Sequence, residues 1–463
     1  MTHYHLIGIG GTGLSAIARV LFERGETVTG SDMAMSPGSE ELMQIGMKIF
    51  IGHEKHNIQG AETVIRSSAI QDSNPEMIAA LEAGIPVLKR RDFLSELTGK
   101  QKVIAVAGTH GKTTTTAMIA WCLRSSGFDP SYVIGSNSKN LGKNAAYGKG
   151  DYFVIEADEY DNMFLGLEPD ILVVTNIEHD HPDCFPTKEI YQKAFKDLLK
   201  NVKHGGSLIA CQDNEGVRDL LTECNQAVTC ITYGTQQNSD LRIKSIHYAK
   251  DAGVRFSIED NTRKLLSAES EQLSLQLPGE HNARNATAAL AAATIAHVGF
   301  SEISKALSSF SGTGRRFDIV GQVNGITIID DYGHHPTEIK TTLAGARSLF
   351  AGKKIWTVWQ PHTYSRTKEL FSEFCGAFSD SDHVIVTEIY RSREQEQDYS
   401  AEILVNAMEH PDKYFLSQMQ DVTDFLIDHL SSGDVLIVFS AGDANQITQS
   451  VFHYFQQNRR END

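Results

Sequence analysis

Ala107-Gly108-Thr109-His110-Gly111-Lys112-Thr113-Thr114 is the segment whose residue types most directly imply chemistry. Amides of a glycine-rich turn can surround phosphate oxygens. The Lys112 ammonium can offset charge on the β and γ phosphates, and the Thr113 hydroxyl can reach a divalent cation. Gly108, Thr109, His110, Gly111, Lys112, Thr113 and Thr114 are therefore candidate ATP contacts. Val106 stands where the full phosphate-loop pattern has its first glycine. A second glycine turn, Gly8-Ile9-Gly10-Gly11-Thr12-Gly13, satisfies G-x-G-x-x-G, with Asp32 closing the next apolar run. Such a turn holds a pyrophosphate at the positive end of a helix while the acidic residue bonds a ribose hydroxyl; a dinucleotide and a nucleotide-sugar both fit.

Two further stretches, Glu156-Ala157-Asp158-Glu159-Tyr160-Asp161 and His179-Asp180-His181, follow apolar runs and offer carboxylate and imidazole to a divalent metal. Solvated acidic loops are the alternative. Gly279-Glu280-His281-Asn282 could cap a helix starting near residue 283, Asn being a favoured cap. Arg315 and Arg316 could be a surface pair, and His334 and His335 plain loop residues.

The elements that must position these residues read as α/β units. Strands are expected at 5–9, 27–30, 63–65 and 85–88, with helices at 14–24 and 76–83 and a linker at 97–101. A new strand at 103–107 opens a central region with further strands at 152–155, 171–175, 207–210 and 228–232 and an Ala-rich helix at 283–298. A second boundary falls at 311–314. Beyond it, strands at 326–329, 354–358, 384–387 and 435–439 supply a third unit. The domain expectation is 1–99, 100–313 and 314–463, without short-period repeats.

Length and composition agree with that count. At roughly 150 residues per domain, 463 residues give about three domains, and 41% hydrophobic residues exclude collagen-like and wholly disordered readings. The formal charge of −17 argues against nucleic acid as a partner, because phosphate-backbone affinity needs clustered Lys and Arg. No run approaches the ~20 apolar residues of a membrane span, and Met1-Thr2-His3-Tyr4-His5 lacks a basic signal-peptide start. A cytoplasmic chain without membrane insertion is expected. Its six dispersed cysteines, 122, 184, 211, 224, 230 and 375, are expected to be reduced thiols.

In order, the chain carries Ile7-Gly8-Ile9-Gly10-Gly11, Ser67-Ser68-Ala69-Ile70, the phosphate loop, Glu156-Ala157-Asp158-Glu159 and Thr175-Asn176-Ile177-Glu178. Gly279-Glu280-His281-Asn282, Gly314-Arg315-Arg316-Phe317, Asp330-Asp331-Tyr332-Gly333-His334-His335-Pro336 and Gln360-Pro361-His362 follow. Together these blocks resemble the Mur ligase family over essentially the whole chain. The resemblance implies a three-domain α/β architecture: a Rossmann-like N-terminal domain, a central ATPase domain and a Rossmann-like C-terminal domain. It implies ATP-dependent ligation of L-alanine to the lactyl carboxylate of UDP-N-acetylmuramate through an acyl phosphate, in peptidoglycan precursor synthesis, by a monomer or homodimer. Gly8, Gly10, Gly11, Thr12, Gly13, Asp32, Ser67 and Ser68 would hold the UDP-sugar. Thr113, Glu156 and His181 would bind Mg²⁺ or Mn²⁺, and Asn282 and Asn285 would face the adenine. Arg316 would contact the γ-phosphate and Asp331 the ATP site.

Tyr332, His334, His362 and Arg366 would shape the amino-acid pocket, with Lys112, Arg316 and His334 as catalytic groups and His334 as proton acceptor. Many relatives place Arg after Gln-Pro-His, whereas this chain has Thr363, which leaves Arg366 as the guanidinium. The Gly-Ala-Gly-Asp of relatives is here Ser440-Ala441-Gly442-Asp443. Some members carry a carbamylated lysine; Lys196 lies in a roughly suitable helix and is not assigned that role. The rival enzymatic reading is the tripeptide ligase of murein recycling, whose first loop typically reads Gly-Ile-Cys-Gly-Thr, unlike Ile9-Gly10-Gly11. An NAD-dependent oxidoreductase leaves the ATP-type loop unexplained, and a non-catalytic nucleotide-sugar sensor leaves the catalytic-looking sites unused.

Overall fold

The computed structural model describes residues 1–249, 253–266 and 270–459. Three sheets organise them. The first is parallel throughout, with strands in the spatial order Lys48–Ile51, Thr27–Asp32, His3–Ile7, Thr63–Arg66, Val87–Lys89. The strand order reverses at His3–Ile7, so the glycine turn that follows sits at a topological switch point, where open parallel sheets bind ligands. His3–Ile7 begins two residues before the expected strand, and Ile9 belongs to the turn.

The second sheet is built on six parallel strands: Thr229–Gly234, Ser207–Cys211, Ile171–Val174, Lys102–Ala107, Tyr152–Glu156 and Ser131–Val133. Its far edge carries an antiparallel meander, Leu241–Ala249, Gly253–Asp260 and Ser270–Leu275, absent from the sequence expectation. The two-residue alternation of Val254, Phe256 and Ile258, all buried between more polar neighbours, explains its formation. Helix Lys112–Ser125, after the phosphate loop, packs against the Ala-rich helix Glu280–Ile295, whose Ala286, Ala289 and Ala293 are fully buried.

The third sheet has six strands in the order Asp318–Val323, Ile326–Asp331, Val435–Ser440, Ile355–Gln360, His383–Val386, Lys413–Phe415. All its pairs are parallel except the edge hairpin.

Three expectations need correction. The linker expected at 97–101 is half helical, because Arg90–Thr98 is a helix burying Phe93, Leu94 and Leu97. The Ala-rich helix begins at Glu280, so Asn282 lies inside its first turn and Gly279, not Asn282, is the cap. Cys224 and Cys230 form a disulfide, since the turn between helix Glu215–Leu221 and strand Thr229–Gly234 brings their Cα atoms to 6.9 Å. The other four cysteines are free. Among the described residues no helix is long and apolar enough to cross a membrane.

Candidate active site

The parallel strands of all three sheets direct their carboxyl ends at one cavity of about 760 Å³. Gly10, Thr12 and Gly13 reach it from the first sheet. Lys112, Thr113, Glu156 and His181 come from the second, and Arg316, Tyr332, His334, His362 and Arg366 from the third. A smaller cavity of about 300 Å³ adjoins it and contains Asn282, Asn285, Asp331 and Thr114. His110 lines the smaller cavity and Thr109 the larger; Gly111, Thr113 and Arg316 line both. Gly8, Gly11, Asp32, Ser67, Ser68 and Gly108 line neither.

The phosphate loop is held from below. Asn176 accepts from the His110 amide at 2.8 Å and donates to its carbonyl at 3.0 Å. Gly111 caps the following helix at φ 79°, a conformation that L side chains seldom adopt, and a Cβ there would meet Asn285 Oδ1 at 2.6 Å. Lys112 folds back over the loop. Its Nζ donates to the carbonyls of Gly108 at 2.5 Å and Thr109 at 3.0 Å and pairs with Glu159 at 2.9 Å. Burial opposes its charge, but Glu159, Asp158 and Glu156 outweigh burial and hold its pKa above the usual value.

Thr113 donates to Glu156 Oε1 at 3.0 Å, and the Gly135 amide donates to Oε2 at 2.7 Å. Burial raises the Glu156 pKa despite Lys112 and these donors. A hydroxyl and a carboxylate side by side at a phosphate loop are hard oxygen ligands suited to Mg²⁺. His181, with φ 55°, lies 3.6 Å from Glu159 and 3.7 Å from Asp180. Burial lowers its pKa but Asp180 and Glu159 raise it further.

Among the described residues, His110, Glu178 and His335 are the one group of three His, Cys, Asp or Glu side chains whose ligand atoms all lie within 4.8 Å of one another. Their bonding opposes use as an ion site. His110 faces Glu178 and Glu338, each at 3.4 Å, and although burial lowers its pKa the two carboxylates raise it to about 9. His335 Nδ1 accepts the Thr337 amide and caps helix Pro336–Leu349.

In the first sheet's turn, Asp32 accepts from the Gly10 amide at 2.8 Å and fixes the loop. The helix Thr12–Glu23 has no side-chain cap, so its first amides remain available to an anion. Arg90 stands directly over Gly13 and pairs with Asp158 at 3.2 Å. Sequence reading missed it; the run Lys89-Arg90-Arg91 was the available signal. Ser67 packs beside Gly8, and Ser68 donates to Asp161 at 3.2 Å.

On the third sheet, Asp331 accepts from the Phe317 and Gly333 amides at 2.8 and 2.7 Å, and burial raises its pKa to about 6. Arg366 is buried with its Nε donating to Asp180 at 2.8 Å, so one edge of the expected carboxylate receptor is already engaged. His334 Nδ1 lies 3.1 Å from the Tyr332 carbonyl, which requires Nδ1–H and leaves Nε2 with the lone pair. Burial, reinforced by Arg366, holds His334 well below the usual imidazole range, and the same causes lower His362 to about 3. Both rings are neutral near pH 7. Glu338, also missed from sequence, accepts from Arg316 at 2.9 Å and from the His334 amide at 3.0 Å. Lys196 pairs with Glu223 on an exposed helix face.

Three family models match consecutive parts of the chain: Mur ligase family, catalytic domain, over residues 3–102; Mur ligase middle domain over 106–293; and Mur ligase, glutamate ligase domain, over 315–442. UDP-N-acetylmuramate–L-alanine ligase of Geotalea daltonii is 41% identical over 446 residues, covering 96% of this chain and 95% of that one. The enzyme of the same name from Desulfosudis oleivorans is 40% identical over 453 residues, covering 97% of each. Among solved structures, UDP-N-acetylmuramate–alanine ligase of Thermotoga maritima superposes with TM-score 0.82 at 27% identity, covering 99% of this chain and 100% of that one. A murein peptide ligase of Psychrobacter arcticus superposes with TM-score 0.70 at 28% identity, covering 98% and 99%.

Proposed function

The chain belongs to the Mur ligase family, and we propose that it joins L-alanine to the lactyl carboxylate of UDP-N-acetylmuramate, with ATP cleaved to ADP and phosphate, in the cytoplasm. One observation carries the reading: a single cavity is lined at once by a pyrophosphate-type turn, an ATP-type loop and a neutral imidazole pocket. Domains at 1–99, 100–313 and 314–463 would then serve UDP-sugar, ATP and amino acid respectively.

The lactyl carboxylate is a poor electrophile because attack on it pushes charge onto an anion. Its oxygen attacks the γ-phosphorus and ADP leaves, giving an acyl phosphate. The alanine amine then attacks the acyl carbon, a proton leaves the nitrogen, and the carbon–oxygen bond to phosphate breaks. Lys112 and Arg316, both lining the cavity, balance the charge that moves during phosphoryl transfer. Thr113 and Glu156, with His181, would hold Mg²⁺, which when bound supplies charge neutralisation on the phosphates. Free amides of helix Thr12–Glu23 and the Arg90 guanidinium would receive the UDP pyrophosphate. His334 Nε2 accepts the amine proton; its neutral, desolvated ring suits a group that acts only when the nitrogen becomes strongly acidic. Arg366, already tied to Asp180, orients His362 beside the amino acid.

Phosphate release measured with UDP-N-acetylmuramate, ATP and a panel of acceptors tests the reading. L-Alanine is expected to drive turnover, and Lys112→Ala to abolish it. Preference for a preformed tripeptide over L-alanine would move the chain to the murein-recycling class, and near-normal coupled turnover in Lys112→Ala would sink the assignment.

A further inference from the structure

Glu338 is the third residue of helix Pro336–Leu349, and its two carboxylate oxygens have different duties. Oε2 accepts the backbone amides of His334 at 3.0 Å and His335 at 3.3 Å, closing the helix cap. A glutamine could do this equally well. Oε1 faces two cations: Arg316 at 2.9 Å and His110, at the apex of the phosphate loop, at 3.4 Å. Arg316 belongs to the same C-terminal part of the chain as Glu338, so that pair survives any movement of the C-terminal domain. The His110 contact exists only when that domain rests on the central one. Beside it, Thr337 donates to Glu178 Oε2 at 2.7 Å, and Glu178 flanks the other side of His110. A row of alternating charge, Glu178, His110, Glu338, Arg316, thus crosses the domain boundary, and Glu338 is its only carboxylate from the C-terminal side.

Sharing one oxygen between two cations weakens each bond. Arrival of His110 therefore loosens Arg316 at the moment the phosphate loop comes into reach. We propose that Glu338 is a positioning residue that couples docking of the C-terminal domain to the freeing of Arg316 for an incoming phosphate, a role that rests on the ligase reading. Burial alone would raise the Glu338 pKa, but Arg316, His334 and His110 hold it well below the usual carboxylate range, so the charge the role needs is present at neutral pH.

Glu338→Gln keeps the length and the cap acceptor and removes the charge; Glu338→Ala removes both. For Glu338→Gln, kcat is expected to fall about tenfold or more while KM for UDP-N-acetylmuramate stays within about twofold, since that substrate sits on another domain. Small-angle scattering of the substrate-free full chain is expected to show a more open average shape for Glu338→Gln than for wild type at an unchanged melting temperature. Wild-type kcat, or wild-type scattering, in Glu338→Gln would overturn the proposal. So would activity loss confined to Glu338→Ala and proportional to its loss of stability, which is the mark of a cap alone. The scattering arm needs no substrate. Failure of the wild-type chain to use L-alanine therefore strikes the ligase reading, while unchanged scattering strikes Glu338.

Discussion

Where the N-terminal domain meets the central one, helix Thr12–Glu23 lies on strands Ser131–Val133 and Ala145–Ala146, and helix Arg90–Thr98 lies on the turn Tyr160–Gly166. A single apolar cluster runs through, joining Leu14, Ile17 and Phe93 to Ala145, Phe164 and Phe195. Where the C-terminal domain meets the central one, the apolar clusters stop on either side. The side-chain pairs that bridge there are polar, Arg366 with Asp180, His110 with Glu338, Thr337 with Glu178, and Arg393 with Asp183 at 2.8 Å, beside a close approach of Gly345 to Pro278 and Gly279. Buried apolar area stabilises without regard to direction, by about 25 cal/mol per Å². Charged contacts hold only in register, and their ions regain hydration on separation. The first seam is therefore a permanent joint and the second a reversible one. The domain that would bring the amino acid is the one that can leave.

The contrast can be broken most severely at the reversible seam. Asp180→Ala strands the Arg366 guanidinium in a buried site, and loss of one partner of such a pair costs about 3–5 kcal/mol. Domain docking, followed by scattering or by protease access to the seam, is expected to weaken while the N-terminal joint stays intact; a uniform loss across both seams would erase the distinction. At the apolar joint, Gly166 lets the Arg91 carbonyl approach so closely that a Cβ would overlap it. Gly166→Ala is expected to destabilise by about 1–3 kcal/mol, as overpacking does, with no dependence on salt in chemical denaturation. A strongly salt-dependent effect would show that the joint is not apolar in character.

The gentlest probe is pH. The folded-state His110 pKa of about 9 lies above the ordinary 6.5, so its contribution is complete below about 6.5 and is lost as pH rises through about 9. One proton limits the slope to about 1.4 kcal/mol per pH unit. Comparing wild type with His110→Gln between those limits, the stability difference is expected to shrink with rising pH. A difference that stays flat would remove His110 from the seam's charge balance.

What the sequence made legible follows from where the information lies. Gly108 to Thr114 form one contiguous segment whose residue types declare phosphate chemistry. Thr113 and Glu156 could be read near one another because the phosphate loop before Thr113 follows one apolar run and Glu156 ends another. Arg366 and Asp180 are 186 residues apart, and no local pattern pairs them. Arg366 could only be guessed as a substrate receptor, and its engagement with Asp180 stayed invisible. Glu338 carries no local pattern that marks it; its second oxygen matters only once His110 is brought across from another domain. Asp32 shows the reverse case, in which a residue marked for a ribose is also what holds the Gly10 amide. Val254, Phe256 and Ile258 alternate legibly within strand Gly253–Asp260, but alternation alone does not place that strand in an antiparallel edge on a parallel sheet.

Lys112, folded onto the carbonyls of its own loop and onto Glu159, has a further meaning. The loop comes with an internal tenant, and a nucleotide enters by exchange, taking over an ammonium already well coordinated. An affinity for ATP would then be the difference between two sets of bonds, not the sum of one. Such a balance suits a turnover site, because ADP faces the same returning tenant when it is time to go.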